Sequence, residues 1–288
     1  IRHNERKKLN MTYTLYNSLA NNKKEPEYIV DLRNKGKSDN IIDVTKIDYK
    51  VFFNSISPDD TIYLVGGDGT INYLANAIDI DKVKNEIYLI PSGTGNDFFR
   101  DVTEGKEVDK VLLNPYLKDL PIVEVNGIKK KFINGIGFGI DGYCCEVGDK
   151  LKEKSQEKIN YTSIAIKGLL FHFKPVRAKV IVDGKTYEYT KVWLTPTMKG
   201  RFYGGGMKIA PNQDRMQKGK VSTVIYRAPN KFKALIVFPT IFKGEHIKKT
   251  KMVKTFEGKE VTVIFNKPTA LQIDGETIKN VLTYTVRG

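Results

Sequence analysis

The stretch Thr61-Ile62-Tyr63-Leu64-Val65-Gly66-Gly67-Asp68-Gly69-Thr70-Ile71-Asn72 decides the fold. Thr61 to Val65 is an unbroken β-prone run that reads as a buried strand, the glycines stop it, and from Ile71 to Ile78 the apolar residues return at helical spacing. The device recurs: Glu86 to Ile90 is a second buried run, ended by Pro91-Ser92-Gly93-Thr94-Gly95-Asn96-Asp97, and Phe98-Phe99-Arg100 opens another helix. Strand, glycine turn and helix in repetition predict a parallel α/β sheet, which takes its ligands at the carboxyl ends of its strands. Upstream, Thr12 to Tyr16 and Tyr28 to Leu32 read as short strands. Val51, Phe52, Phe53 and Ile56 have helical spacing, and Pro58-Asp59-Asp60 is a turn.

Past residue 121 the pattern changes. Pro121 to Val125, Lys131 to Ile136, Val176 to Val182, Thr186 to Leu194, Lys220 to Tyr226, Glu260 to Phe265 and Leu282 to Val286 read as strands. Turn signals separate them, among them Asn126-Gly127 and Asp183-Gly184, the second favouring a tight hairpin. This half is expected to be an antiparallel β unit with helices at Ser163 to Phe173 and Lys231 to Phe242. The organisation is therefore a polar extension at 1–10, an α/β domain at 11–120 and a β domain at 121–288.

The 288 residues hold 48 Lys and Arg against 33 Asp and Glu, a net charge of +15. Residues 1–121 carry 17 basic and 19 acidic residues, whereas 122–288 carry 31 and 14, so the whole excess lies in the second part. Such asymmetry points to an anionic partner for that part or to a Lys-rich solvated surface. No zinc-finger spacing, heptad-bearing basic helix or RNP-like aromatic signature accompanies the charge, so nucleic acid is not the expected partner. The longest apolar run, Ala234 to Phe242, is half of a membrane span. The opening is polar, without a signal-peptide core, and the two cysteines, Cys144 and Cys145, are adjacent, so neither a disulfide scaffold nor a CxxC site is expected. The expected location is cytoplasmic.

The glycine turns carry the chemistry. Glycines let the backbone approach a phosphate, and a helix N-terminus supplies N–H groups and partial positive charge. Asp68 beside phosphates suits a magnesium organiser, the plain alternative being a helix N-cap. Asn96 or Asp97 can cap the following helix, with Arg100 one turn on. Two such turns on neighbouring strands can face one ligand, and neither is a P-loop or a GxGxxG fingerprint.

GGDGTIN at 66–72 and PSGTGNDFFR at 91–100 resemble the diacylglycerol kinase catalytic-domain family, which includes soluble bacterial diacylglycerol kinases and the related sphingosine and ceramide kinases. FINGIGFGIDG at 132–142, YGGGMKIAP at 203–211, KGEH at 243–246 and LQIDGE at 271–276 extend the resemblance from about Tyr13 to Val286. It implies an α/β nucleotide-binding domain followed by an antiparallel β-sandwich domain. It also implies an ATP- and Mg²⁺-dependent lipid kinase, most simply one converting diacylglycerol to phosphatidic acid. Asn17, Gly66, Gly67, Asp68, Gly69, Thr70, Asn72, Ser92, Gly93, Thr94 and Asn96 would contact the nucleotide. Asp68 and Asp97 would organise the metal, and Arg100 would orient that network. Asp274 would be the general base with Glu276 as helper, although Asp-Gly taken alone reads as a hairpin turn.

Two departures from the family pattern stand out. Asn17-Ser18-Leu19-Ala20-Asn21 replaces an Asn-Pro-x-Ser-Gly segment, so only Asn17 carries over. In Pro211 to Gly219, Lys218 stands where some relatives carry an acidic ligand for a structural magnesium ion, so that metal site is expected to be absent or rebuilt, the Lys ammonium being one group that could take the cation's place. The implied partner is a lipid substrate in an anionic membrane surface, reached by peripheral docking, and a homodimer is left open. The rival readings are a kinase of a sphingoid base or monoacylglycerol, a kinase of a soluble alcohol such as NAD, and a non-catalytic membrane module.

Overall fold

The computed structural model describes residues 10–20, 24–36, 40–93, 96–154 and 161–288. The expected extension thus lies, apart from its last residue, outside the described residues, as do Asn21 and Thr94. The chain forms two compact units, one of residues 1–93 with 107–118 and the other of residues 94–106 with 119–288.

The first unit runs β1 (Thr12–Tyr16), α1 (Glu27–Asn34), β2 (Ile41–Asp43), α2 (Tyr49–Ser55), β3 (Thr61–Gly66), α3 (Asp68–Ala77) and β4 (Ile87–Pro91). After α4 (Asp97–Thr103), which belongs to the other unit, it resumes with β5 (Val111–Leu112) and α5 (Asn114–Leu117). Its five-stranded sheet has the order β2-β1-β3-β4-β5. All pairs are parallel except β4 with β5. Leu15, Ile62, Leu64, Ile87 and Leu89 are buried at its centre, as strands covered on both faces require. Helix α3 adds Ile71, Leu74 and Ala75, one face at i, i+3 and i+4.

One expected strand is a helix. Tyr28 to Leu32 lies within α1, where Pro26 at the N-cap starts the turn, Glu27 and Arg33 complement the helix ends, and Ile29 alone is buried. The β-branched pair Ile29-Val30 suggested a strand, but a strand would need its burial to alternate.

The second unit continues with β6 (Ile122–Val125), β7 (Ile128–Lys131), β8 (Gly135–Phe138), α6 (Ile140–Lys154) and α7 (Tyr161–Lys167), followed by a π turn over Gly168–His172. Then come β9 (Val176–Val182), β10 (Lys185–Leu194), β11 (Thr197–Met198), β12 (Val221–Arg227), α8 (Lys231–Val237), β13 (Val253–Gly258), β14 (Glu260–Ile273) and β15 (Glu276–Arg287). The paired strands are antiparallel. The fourteen residues of β14 allow it to pair with β8 at one end and β9 at the other, so the path β14-β8-β11-β12-β10-β9 returns to β14. The closed path surrounds an apolar core in which Phe138 stacks on Phe265 at 3.9 Å between centroids and meets the Tyr284 ring edge-on. A second core of Trp193, Met198, Tyr226 and Phe238 is shared by α6, α7 and α8. The expected tight hairpin is present: Asp183 and Gly184 both take positive φ, as a two-residue β turn needs.

Lys131 to Ile136 is not one strand. β7 ends at Lys131 and β8 begins at Gly135, because the amides of residues 133 to 135 turn away to a carboxylate described below.

Candidate active site

In the first unit the decisive turn sits at the carboxyl end of β3, the central strand of the sheet. Gly67 caps the ten-residue α3, and its carbonyl accepts from Thr70 and Ile71. Gly66 is compulsory there: a Cβ would meet the Thr70 hydroxyl oxygen at 2.4 Å. Gly69 differs, since no atom lies within 4 Å of the Cβ it lacks, so its backbone is open to a ligand. Asp68 is the acidic residue of the first helical turn, Thr70 and Asn72 are buried, and the Asn72 side-chain oxygen accepts from Asn76. The Ser92 amide donates to the Gly66 carbonyl at 3.0 Å, which ties the start of the second glycine turn to the end of the first strand. Gly93 follows with φ of 107° and open space around it. Asn17 closes the turn after β1, its side-chain oxygen accepting from the Leu19 amide at 2.9 Å.

These features suit the phosphates of a nucleotide. The leading amides of a helix lack intrahelical partners, and an open glycine beside them leaves room for an anion. A divalent cation also suits the turn. Among the described residues no three His, Cys, Asp or Glu side chains gather as a metal cluster. Magnesium needs none, because it is ordinarily held by one or two carboxylates plus phosphate oxygens and water. Asp68, the acid of the first helical turn, is the carboxylate that would hold one there.

In the second unit, Asn96 precedes α4 and Asp97 opens it. Asp97 is buried and accepts from the Gly205 amide at 2.7 Å. Burial pushes its carboxyl up to about 6, against the pull of the Gly205 and Gly206 amides and the Arg100 charge. Arg100 is exposed, 6.0 Å from the centre of the Phe202 ring.

Asp274 forms the β14–β15 hairpin turn with Gly275, at φ of 45° and 93°. Its carboxylate accepts three consecutive amides: Ile133 at 2.6 Å on one oxygen, and Asn134 and Gly135 at 2.9 Å each on the other. Glu276 is exposed and ion-paired with Lys130. The structure thus brings Asp274 to the 133–135 backbone and Asp97 to the 205–206 backbone.

The loop at 211–219 corrects one expectation. Lys218 does not fill a cation site; it is exposed and pairs with Asp119 at 3.0 Å. Among the described residues, the cations buried at this loop are Lys199 and Arg215. Lys199 donates to the Gln217 carbonyl at 2.9 Å, and burial, reinforced by the Arg215 charge, holds its ammonium below its ordinary pKa. Arg215 donates to Asp101 (2.8 Å), to the Asn134 side chain (2.7 Å) and to the Ile133 carbonyl, with its guanidinium 4.7 Å from the Phe98 ring centre. Asp101 also receives Arg201 at 2.6 Å. A side-chain network therefore ties this loop to α4 and to the 133–134 segment. Asn134 and Arg215 lie within or beside quoted motifs, but no local pattern pairs them.

Sequence reasoning also missed Asp141. It is buried and accepts from the Tyr203 hydroxyl, and burial pushes its carboxyl up to about 7. The folded pKa lies above the usual 3.8, so between pH 4 and 7 the unfolded chain ionises this group while the folded chain does not. Stability is then expected to fall with rising pH through that window, with a slope of at most about 1.4 kcal/mol per pH unit from this residue. Asp141→Asn keeps an acceptor for Tyr203 and should remove that part of the slope, which urea denaturation at pH 5 and pH 8 measures.

The comparisons with known proteins follow the same division. The family described as diacylglycerol kinase catalytic domain matches residues 12–121, and that described as YegS C-terminal NAD kinase beta sandwich-like domain matches residues 134–286. A diacylglycerol kinase of Bacillus subtilis is 28% identical over 224 residues, which cover 75% of this chain and 71% of that protein. A diacylglycerol kinase of Mycobacterium tuberculosis is 26% identical over 196 residues, 65% of this chain and 62% of that protein. The crystal structure of a diacylglycerol kinase from Bacillus anthracis superposes with a TM-score of 0.63 at 19% identity, covering 96% of this chain and 94% of that one, and so shares the fold.

Proposed function

Since the chain belongs to the diacylglycerol kinase catalytic-domain family and carries a YegS-type C-terminal domain, we propose that it is an ATP- and Mg²⁺-dependent lipid kinase that transfers the γ-phosphoryl group to a lipid hydroxyl, with diacylglycerol as acceptor and phosphatidic acid as product. The observation that carries this reading is the β3–α3 turn, where Gly69 leaves open space at the N-terminus of a ten-residue helix. Both relatives described above are named diacylglycerol kinases.

The turn amides and Ser92 and Gly93 hold the triphosphate. Asp68 would hold the metal, and Asp97 is the buried carboxylate of the second glycine turn. When bound, magnesium neutralises charge on the phosphate oxygens. The acceptor hydroxyl attacks the γ-phosphorus, its proton passes to the Asp274 carboxylate, and the bond from phosphorus to the bridging oxygen breaks to leave ADP. Arg100 orients the phosphate network, and Lys130 keeps Glu276 placed beside the Asp274 turn.

The test is transfer from labelled ATP to a panel of diacylglycerol, monoacylglycerol and sphingoid base in mixed micelles, with and without EDTA. Transfer to diacylglycerol that EDTA abolishes supports the proposal; failure on the whole panel ends it. One substitution probes the turn by itself. Gly69→Ala puts a better helix former where nothing obstructs its methyl group and should stabilise the fold by about 0.5–1 kcal/mol. The same methyl intrudes on the phosphate position, so ATP affinity should fall about 10-fold or more even as the melting temperature rises. Unchanged nucleotide affinity, read by calorimetry, would move the phosphates elsewhere.

A further inference from the structure

Helix α8 is apolar on more sides than its own unit covers. Ala234, Val237, Phe238 and Ile241, on α8 and the turn after it, pack into the core shared with Ile164 and Ala165 of α7. Phe232 and Ile236, one turn apart, are 64% and 73% exposed. The π turn that follows α7 packs against α8 and leaves Phe171 73% exposed, and Phe242 is also exposed. A helix with apolar residues outside as well as inside has an environment besides water to meet.

The charges around these residues name that environment. From Arg227 to Lys254 the chain carries eight Lys and Arg and one acid, Glu245, and from Tyr161 to Lys174 it carries Lys167 and Lys174 and no acid. Lys231, Lys233 and Lys243 are exposed beside the apolar residues, Lys231 lying 5.7 Å from the Phe232 ring centre. Exposed aromatic and branched side chains bordered by lysines match a surface with acyl chains beneath anionic headgroups. A second copy of this chain would bring the same positive charge to the same face and be repelled.

We propose that the outer face of α8, together with the π turn at 168–172, is where this protein docks on an anionic lipid bilayer, with Phe171, Phe232 and Ile236 entering the headgroup region and the neighbouring lysines meeting lipid phosphates. The inference deepens the lipid-kinase reading and rests on it, because a bilayer is where a long-chain diacylglycerol is found.

The experiment uses the full chain with vesicles of phosphatidylcholine, with and without one third phosphatidylglycerol. The chain's one tryptophan, Trp193, is buried, so Phe232→Trp adds a reporter on the docking face. Its emission should shift to the blue with phosphatidylglycerol vesicles only, and 0.5 M NaCl should weaken binding about 10-fold or more. Phe232→Ser/Ile236→Ser should lose about 10-fold or more of vesicle affinity yet phosphorylate water-soluble dihexanoylglycerol at the parent rate with an unchanged melting temperature. Vesicle binding indifferent to this double substitution, or a dimer in solution that the substitution dissolves, would overturn the docking surface. Full activity on dihexanoylglycerol without any vesicle binding would remove the docking surface and leave the kinase. Vesicle binding with no transfer to any lipid would do the reverse.

Discussion

Asp68→Ala is expected to lower phosphoryl transfer by about 10²–10³-fold at saturating ATP while the protein stays folded. The two parts of that expectation have separate causes. Structurally, Asp68 is a first-turn acid on α3, and such a residue contributes about 0.3–1 kcal/mol through the helix dipole, so the melting temperature should fall by less than about 4 °C. Chemically, it is the carboxylate at the carboxyl end of the central strand, next to the open backbone of Gly69, and in the proposed reaction its loss would leave the triphosphate charge without a metal organiser. Asp68→Asn keeps the side-chain size and removes the charge, so it loses the same dipole contribution as the alanine variant along with the metal-binding carboxylate. It should melt within about 4 °C of the parent and turn over like the alanine variant. A rate near the parent's in either variant at saturating Mg²⁺ would leave Asp68 with no role beyond that of a first-turn acid.

What could be read from sequence follows the range of the forces involved. The β3–α3 turn was legible because its causes are adjacent: an apolar run, glycines and a helical apolar period within a dozen residues. Helix α6 was not. Its Gly142 reads as a breaker, yet a Cβ there would meet the Ala270 carbonyl oxygen at 1.9 Å, so the glycine lets the helix lie against β14. The cation in the 211–219 loop was expected on Lys218, whereas the cations buried there are Arg215 of the same loop and Lys199, which reaches the Gln217 carbonyl from just past β11. Asp274-Gly275 was legible as a turn, but the three amides that it gathers lie far up the chain, and no local pattern announces them. α1 shows the converse, a local β propensity overridden by helix-end signals at Pro26, Glu27 and Arg33.

Asp274→Asn should reduce kcat by about 10²–10⁴-fold, the range for loss of a positioned base, and should also cost stability. The second effect follows from the three amides. An asparagine offers one oxygen where the carboxylate offers two, and its NH₂ group faces a backbone N–H that then lacks an acceptor, a loss of about 1–3 kcal/mol. A fall in activity alone would therefore be ambiguous, since a displaced 133–135 backbone disturbs the neighbouring Arg215–Asn134 contact too. The separation comes from temperature and from nucleotide binding. Measured well below the variant's own melting point, ATP affinity should match the parent's, because the proposed phosphate turn is built from β3 and α3, while kcat stays low. Near-parent kcat at that temperature, with the lowered melting point retained, would make Asp274 the anchor of its hairpin and move the base to another carboxylate.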